Sequence, residues 1–270
     1  MRRRMRRFKR KRTINILPSL LTIGNMYFGI MSIMFAFDGR YELAALFILA
    51  GMLCDIGDGK IARLTNSVSR FGEELDSLAD LITFGLAPAL IVFLAFMEPY
   101  GATFRKIGML LTTVYAISAA LRLARYNSTR HDNLAFSGLP SPAAALTVAS
   151  YVLFTHWLAD LYEMNMEAFI EQTPMLRIVS LFEVVLAFLM VSNIRYSKDE
   201  MLVVTRKHLL PCLFAIVLCV TVVSHLTHPY VFLFGGILVY DSYGPVRHVY
   251  RWLFKKTETV EAPSTEAETH

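Results

Sequence analysis

The chain has 270 residues, 55% of them hydrophobic, a mean hydropathy of +0.46 and a formal charge of +5. Soluble domains lie nearer about 45–50% apolar, so the composition points away from an ordinary soluble globule and toward a membrane protein. Three cysteines, Cys54, Cys212 and Cys219, all in apolar runs and without metal-type spacing, exclude a disulfide scaffold and read as packing residues.

Residues 1–12 (MRRRMRRFKRKR) hold nine of the 27 Lys and Arg. Such a run can bind nucleic acid or anionic lipid. Here an apolar stretch follows almost at once, which favours a cytoplasmic anchor ahead of a first spanning helix, with no nucleic-acid partner. No small-residue cleavage site follows a short apolar core, so a cleaved signal peptide is not expected. Apolar segments then follow near 15–37, 41–64, 73–97, 107–126, 139–158, 175–193, 208–224 and 229–244. Each is long enough, or nearly so, to cross a bilayer. The expected fold is therefore an all-α integral membrane protein of about eight transmembrane helices. In the eighth, Pro229, Gly235 and Gly236 interrupt the run, so a re-entrant or short helix is an alternative there. The stretch 159–173 reads as an interfacial helix or a loop. Residues 257–270 are polar and acidic, lack core formers and are expected to be disordered. The domain reading is a basic segment 1–14, a transmembrane catalytic domain 15–245 and a tail 246–270.

Charge placement sets the topology. With the N-terminus inside, the inner segments hold 23 Lys and Arg, and the outer segments hold four: Arg40, Arg105, Lys106 and Arg177. That asymmetry predicts an even number of crossings with both termini in the cytoplasm.

Segments two and three carry Asp55, Asp58, Asp76 and Asp80. An acid near the bilayer centre costs about 2.5–3.5 kcal/mol on insertion scales, so these groups must face a polar cavity, pair with cations or bind metal. Asp55 and Asp58 are i, i+3, and Ala62 continues that face. Gly72, Asp76 and Asp80 are i, i+4, i+8. The short link 64–71 makes the two helices antiparallel neighbours whose acidic faces can oppose. Facing carboxylates suit a hard cation, Mg²⁺ or Mn²⁺, and crowded carboxylates favour two ions. Gly59 and Gly72 each lie a turn from an Asp. There a missing side chain admits a ligand to the backbone, the alternative being close helix packing. Arg63 can snorkel to the membrane edge or contact a phosphate.

The run Asp55-x2-Asp58-Gly59-x2-Ala62-Arg63-x8-Gly72-x3-Asp76-x3-Asp80 resembles the signature of the CDP-alcohol phosphotransferase family at all eight positions. The resemblance implies that family's membrane fold and a lipid-synthesis enzyme that transfers the phosphatidyl group of a CDP-lipid to an alcohol and releases CMP. Carried over, it makes Asp55, Asp58 and Asp76 metal ligands that hold the diphosphate, and Asp80 a ligand and the base for the acceptor hydroxyl. It places the nucleotide against Gly59, Ala62 and Gly72, with Arg63 holding nucleotide or phosphate. A homodimer is also implied.

Three further stretches resemble the branch of that family whose acceptor is serine. The first is Pro18-Ser19-Leu20-Leu21-Thr22-x2-Asn25, which adds Thr22 and Asn25 to the CDP-lipid side. It departs from that branch at Ser19, where Asn is usual. The others are Arg122-Leu123-Ala124-Arg125-Tyr126-Asn127 and Gly138-Leu139-Pro140-Ser141-Pro142. They supply Arg122, Arg125, Asn127, Gly138, Pro140 and Ser141 as acceptor- or phosphate-binding candidates. A guanidinium can bind the serine carboxylate or a lipid phosphate, or merely anchor a helix at the membrane edge. The Gly138–Pro142 turn can equally be structural, with Pro142 suited to a first helical turn. The expected partners are CDP-diacylglycerol, L-serine and membrane phospholipids. The expected location is the inner cell membrane, with the site facing the cytoplasm. Two other readings remain: a sister enzyme using glycerol 3-phosphate or an inositol phosphate, and a divalent-cation transporter. The transporter gives no reason for Gly59, Ala62, Arg63 and Gly72.

Overall fold

The computed structural model describes residues 16–64, 69–129, 138–172, 174–194 and 229–254. Among these there is no strand. The helices are α1 (Ile16–Phe37), α2 (Tyr41–Leu64), α3 (Arg70–Asp80), α4 (Ala87–Val92), α5 (Ala102–Thr129), α6 (Ser141–Leu161), α7 (Met166–Gln172), α8 (Met175–Val191) and α9 (Pro229–Phe254). Two π-helical segments, Leu81–Leu86 and Phe93–Met97, and a 3₁₀ turn, Glu98–Tyr100, join α3 and α4 into one long rod.

Four described helices are long and apolar enough to cross a membrane: Ser19–Phe37, Phe71–Tyr100, Ala102–Ser128 and Ser141–Leu161. This is a multi-pass membrane protein. Its outer surface bears this out: on α1, Leu20, Ile23, Tyr27, Ile30 and Met34 are exposed at helical spacing along one side. On α8, Leu181, Val184, Val185 and Phe188 do the same. Contiguous apolar stripes of this kind are unfavourable in water, and lipid is the solvent that accommodates them. The seventh expected segment, 208–224, and the terminal stretches 1–14 and 257–270 lie outside the described residues.

The third segment, expected near 73–97, agrees to within three residues at each end: Ser69 caps α3 and the rod continues to Tyr100. Ser69 sits at φ −129°, ψ 147°, and its hydroxyl accepts the Gly72 N–H at 3.0 Å, a cap worth about 1 kcal/mol. The eighth segment is neither short nor interrupted: α9 is a continuous helix of 26 residues. Pro229 stands in its first turn, where the missing N–H has no partner to lose. Gly235 and Gly236 meet nothing within 4 Å, so they mark no tight crossing.

The α1–α2 hairpin turns at Asp38–Arg40, with Gly39 at φ +75°. It is pinned by Ser32 Oγ donating to the Ala44 carbonyl at 2.7 Å. Tyr41 then donates to the Leu94 carbonyl at 3.0 Å, which ties the start of α2 to the far end of the rod. α1 lies along α2 and α3, α6 packs on α2 and α9, and α5 packs on α8. Phe84, Ile91, Phe96, Tyr115, Leu139, Leu153 and Met190 fill the interior. Tyr151 gathers Phe96, Phe182 and Phe234 around its ring at 5.5, 5.7 and 5.5 Å.

The tightest crossing places the acids. Thr83, on the first π segment, sits against both α1 and α2: a methyl on Gly29 would overlap it, and one on Gly51 would lie 2.6 Å from its Cγ2. Thr83 Oγ1 also donates to the Asn25 carbonyl at 2.9 Å. The π turn begins directly after Asp80, with Ala87 N–H reaching the carbonyl of Ile82, five residues back. Pro88 follows, and it cannot supply the next helical N–H. The rod is thus distorted directly after Asp80, the last of the four motif acids, and π segments concentrate at such functional points in helices.

Candidate active site

α2 ends and α3 begins at the same end of the bundle, so the antiparallel pair presents its acids to one another. Asp55, Asp76 and Asp80 each bring a carboxylate oxygen to within 4.8 Å of the others. Asp80 also interacts electrostatically with Arg122 of α5. Three convergent carboxylate oxygens form a hard donor set, which fits Mg²⁺ or Mn²⁺. The absence of nearby Cys or His ligands in the group argues against soft metals.

Asp58 does not join this group. It is 5% exposed, and its Oδ2 accepts the Thr22 hydroxyl at 2.7 Å, with a further bond from the Gly59 N–H. Three residues from Asp55, it is rotated about 60° round the helix, toward α1. Thr22 is itself buried, so its hydroxyl holds an acid rather than facing open space. Asn25, one turn on, is wholly buried and donates from Nδ2 to Asp80 Oδ1 at 3.2 Å. Its own Oδ1 has no partner among the described residues. α1 therefore contributes two side chains that orient acids on α2 and α3.

Gly72 lies at the third residue of α3, its N–H on Ser69 and a would-be Cβ 3.1 Å from the Ser69 hydroxyl. Gly59 lies on α2 next to Asp58, in the last part of that helix before Leu64. Ala62 and Arg63 are on the same helix, but their side chains lie outside the described ones.

The basic candidates divide. Arg122, on α5, turns into the site: it interacts electrostatically with Asp80, and its Nη1 donates to the buried Ser141 hydroxyl at 2.6 Å. Its Nε is buried without a hydrogen-bond partner. Arg125 turns the other way and caps the end of α8. It donates to the carbonyls of Val191, Met190 and Ser192 at 2.9, 3.2 and 3.3 Å, and to Asn193 Oδ1 at 3.3 Å. Those carbonyls are among the last of a helix and have no intrahelical donor. Gly138 completes the same knot. Its φ is +87°, its N–H bonds the Ile194 carbonyl at 2.9 Å, and a Cβ there would strike the Met190 carbonyl and Arg125 Nη2. Pro140 and Pro142 lead into α6, Pro142 in its first turn, and so deliver Ser141 to Arg122. Asn127 reaches across to α3, where Nδ2 donates to Ser77 Oγ at 2.9 Å, next to Asp76. Ser77, Ser69 and Asn193 carried no signal in the sequence, since each acts only through a neighbour that folding supplies.

An acidic trio where α2 and α3 meet, an asparagine holding one acid and an arginine facing it, form a polar site within a multi-pass membrane protein that suits a cation-bound anionic ligand. Comparison with known proteins places it more narrowly. Residues 15–194 match the CDP-alcohol phosphatidyltransferase family, and the chain belongs to that family. It is 39% identical over 183 residues to the CDP-diacylglycerol–serine O-phosphatidyltransferase of Helicobacter pylori, covering 67% of this chain and 71% of that one. It is 38% identical over 133 residues to the Bacillus subtilis protein of the same name, covering 49% and 73%. It is 32% identical over 186 residues to the archaetidylserine synthase of Methanothermobacter thermautotrophicus, covering 68% and 70%.

Proposed function

We propose that this protein transfers the phosphatidyl group of CDP-diacylglycerol to the hydroxyl of L-serine, giving phosphatidylserine and CMP. The observation that carries the reading is the convergence of Asp55, Asp76 and Asp80 with Asn25 and Arg122 around one point. The names of the three relatives support serine as the acceptor.

Asp55 and Asp76 face the diphosphate, with Asp58 held beside them by Thr22 as a further ligand. One or two Mg²⁺ or Mn²⁺ ions bound by these acids would neutralise the diphosphate and stabilise the leaving CMP. Asp80 accepts the serine hydroxyl proton, and the Asn25 amide fixes which of its oxygens remains open. The serine oxygen attacks the phosphorus that bears diacylglycerol, and the bond from that phosphorus to the CMP oxygen breaks. Arg122 holds the serine carboxylate through its unbonded Nε and is itself steadied by Ser141. Ala62, Arg63, Gly59 and Gly72 line the nucleotide side, where small residues let CDP lie against backbone. Arg125, Gly138 and Asn127 keep α5, α6, α8 and α3 in register around that acceptor.

The site faces the cytoplasm of the inner membrane and both termini are cytoplasmic, as the Lys and Arg asymmetry favours. The catalytic domain spans 15–245 and acts as a homodimer. The test is CMP release by the purified protein in detergent with CDP-diacylglycerol and Mg²⁺ or Mn²⁺. Release that requires both serine and metal, with phosphatidylserine formed in step, is expected. Release with glycerol 3-phosphate or an inositol phosphate but not serine would replace the acceptor and keep the family.

A further inference from the structure

The rod carries two π segments, and the first of them follows Asp80 at the acids. The second opens at Val92, twelve residues beyond Asp80 and roughly 18 Å away by helical rise. Val92 lines an internal cavity with Thr147 and Tyr151 of α6 and Val179, Phe182 and Glu183 of α8. The cavity has room for about one water-sized particle.

Glu183 is the acid in its wall. It is 2% exposed, and neither carboxylate oxygen has a hydrogen-bond partner among the described residues. No described basic side chain forms an ion pair with it. Tyr115 approaches from α5, which packs along α8. Its side chain is wholly buried, and its hydroxyl has no hydrogen-bond partner among the described residues, yet it interacts electrostatically with Glu183. Thr147 adds a third oxygen at the wall. Its hydroxyl donates to Asp241 of α9 at 2.5 Å, which leaves its lone pairs to accept another contact.

An acid inside a membrane protein needs a partner, and such residues mark ion pathways and binding sites. A carboxylate and a hydroxyl that interact but stand too far apart to bond leave space for an occupant between them. Water there would satisfy hydrogen bonds and leave the buried charge uncompensated. One carboxylate in the wall calls for one positive charge. Asp241 does not line the cavity, so a divalent ion would carry excess charge into apolar surroundings. The small space excludes an organic ammonium group. The donors are all oxygens, which suit a hard cation.

We propose that the cavity beside Glu183 binds a monovalent metal ion of sodium's size, held by the Glu183 carboxylate and the hydroxyls of Tyr115 and Thr147. The ion ties α5, α6 and α8 to the rod at its second π segment, apart from the acidic trio.

The experiment follows the thermal unfolding midpoint of the full-length protein in detergent as Na⁺ replaces choline at constant ionic strength. Saturating Mg²⁺ is present throughout, so that the acidic trio is already filled. The wild-type midpoint is expected to rise by at least about 3 °C at about 100 mM Na⁺, as a ligand well above its dissociation constant does for a chain of this size. In Glu183→Gln the midpoint should be insensitive to the exchange. Tyr115→Phe should raise the half-saturating Na⁺ concentration about 10-fold, as loss of a polar contact to a charged group does. A wild-type midpoint that does not respond to Na⁺ overturns the proposal and leaves Glu183 as a carboxyl that keeps its proton. An equal rise in Glu183→Gln puts the ion elsewhere and overturns it as well. If that variant does not fold, Tyr115→Phe decides beside the wild type: an unshifted half-saturating concentration overturns the proposal.

Discussion

Asp80 and Asp58 are both acids of the motif, yet each is held by a different residue of α1, and the two holds have separable consequences. Asn25 donates to Asp80, and Thr22 donates to Asp58. Asp80→Asn keeps the shape and removes the proton acceptor. It is expected to lower CMP release about 10²- to 10⁴-fold while the thermal unfolding midpoint in detergent stays within a few degrees. Full turnover by that folded variant would remove the base assignment. Thr22→Ala instead removes one of the two donors to a buried carboxylate and leaves the Gly59 N–H, which costs about 1–3 kcal/mol. A lowered unfolding midpoint is the expected outcome, together with weaker metal dependence of CMP release, read as a raised half-saturating Mn²⁺ concentration.

At the scale of elements, two joints carry the geometry. The first is the crossing of α1, α2 and the π segment at Gly29, Gly51 and Thr83. Gly29→Ala would push a methyl into Thr83, whose Cα is 2.9 Å from that position, so backbone must shift. Overpacking of this kind costs about 1–3 kcal/mol. Because Asn25 and Thr83 are bonded across the same crossing, activity is expected to fall with stability. Gly235→Ala, with nothing within 4 Å of the new methyl, is the matched control and should leave both unchanged. The second joint ties α5, the Gly138 turn and the end of α8. Gly138→Ala meets both a left-handed φ and the Met190 carbonyl, and is expected to destabilise by about 1–3 kcal/mol or more. Arg125→Lys keeps the charge but not the fork that reaches three carbonyls and Asn193. A clear drop in the unfolding midpoint is expected, with the serine KM moving less than in any variant of Arg122.

For the whole molecule, the arrangement of charge makes an orientation test direct. A cysteine placed in the basic segment 1–12, in a chain otherwise free of cysteine, should react with a membrane-impermeant thiol reagent only from the cytoplasmic side. Labelling from the opposite side in intact spheroplasts would reverse the topology proposed from the Lys and Arg asymmetry. The lipid-facing stripes on α1 and α8 also account for why the interior is built from small and aromatic residues, with Ala44, Ala45, Ala87, Ala89 and Ala144 letting helices approach around Phe84, Phe96 and Tyr151.

Much of this was legible in the order of residues. Apolar run lengths located the helices, and the i, i+3 and i+4 spacing of Asp55, Asp58, Asp76 and Asp80 put acids on facing sides of two neighbours. Both signals are local: helix formation and face are set by periods of a few residues, so the chain itself declares them. What the sequence could not separate was Arg122 from Arg125. Three residues apart on one helix, with the same chemistry, they diverge because one meets Ser141 and Asp80 while the other meets the unbonded carbonyls ending α8. The same holds for Asp58 against its fellow acids, for the π turn after Asp80, and for Asp241, which gains a setting only when α9 lies against α6. Those outcomes depend on which side chains from distant parts of the chain arrive at a given depth, and buried polar groups settle on whatever donor or acceptor packing brings within reach. Sequence by itself determined the apolar helices and the spacing of the acids; the tertiary structure decided which polar residues meet at those acids and which tie helix ends together, because the partners come from distant parts of the chain.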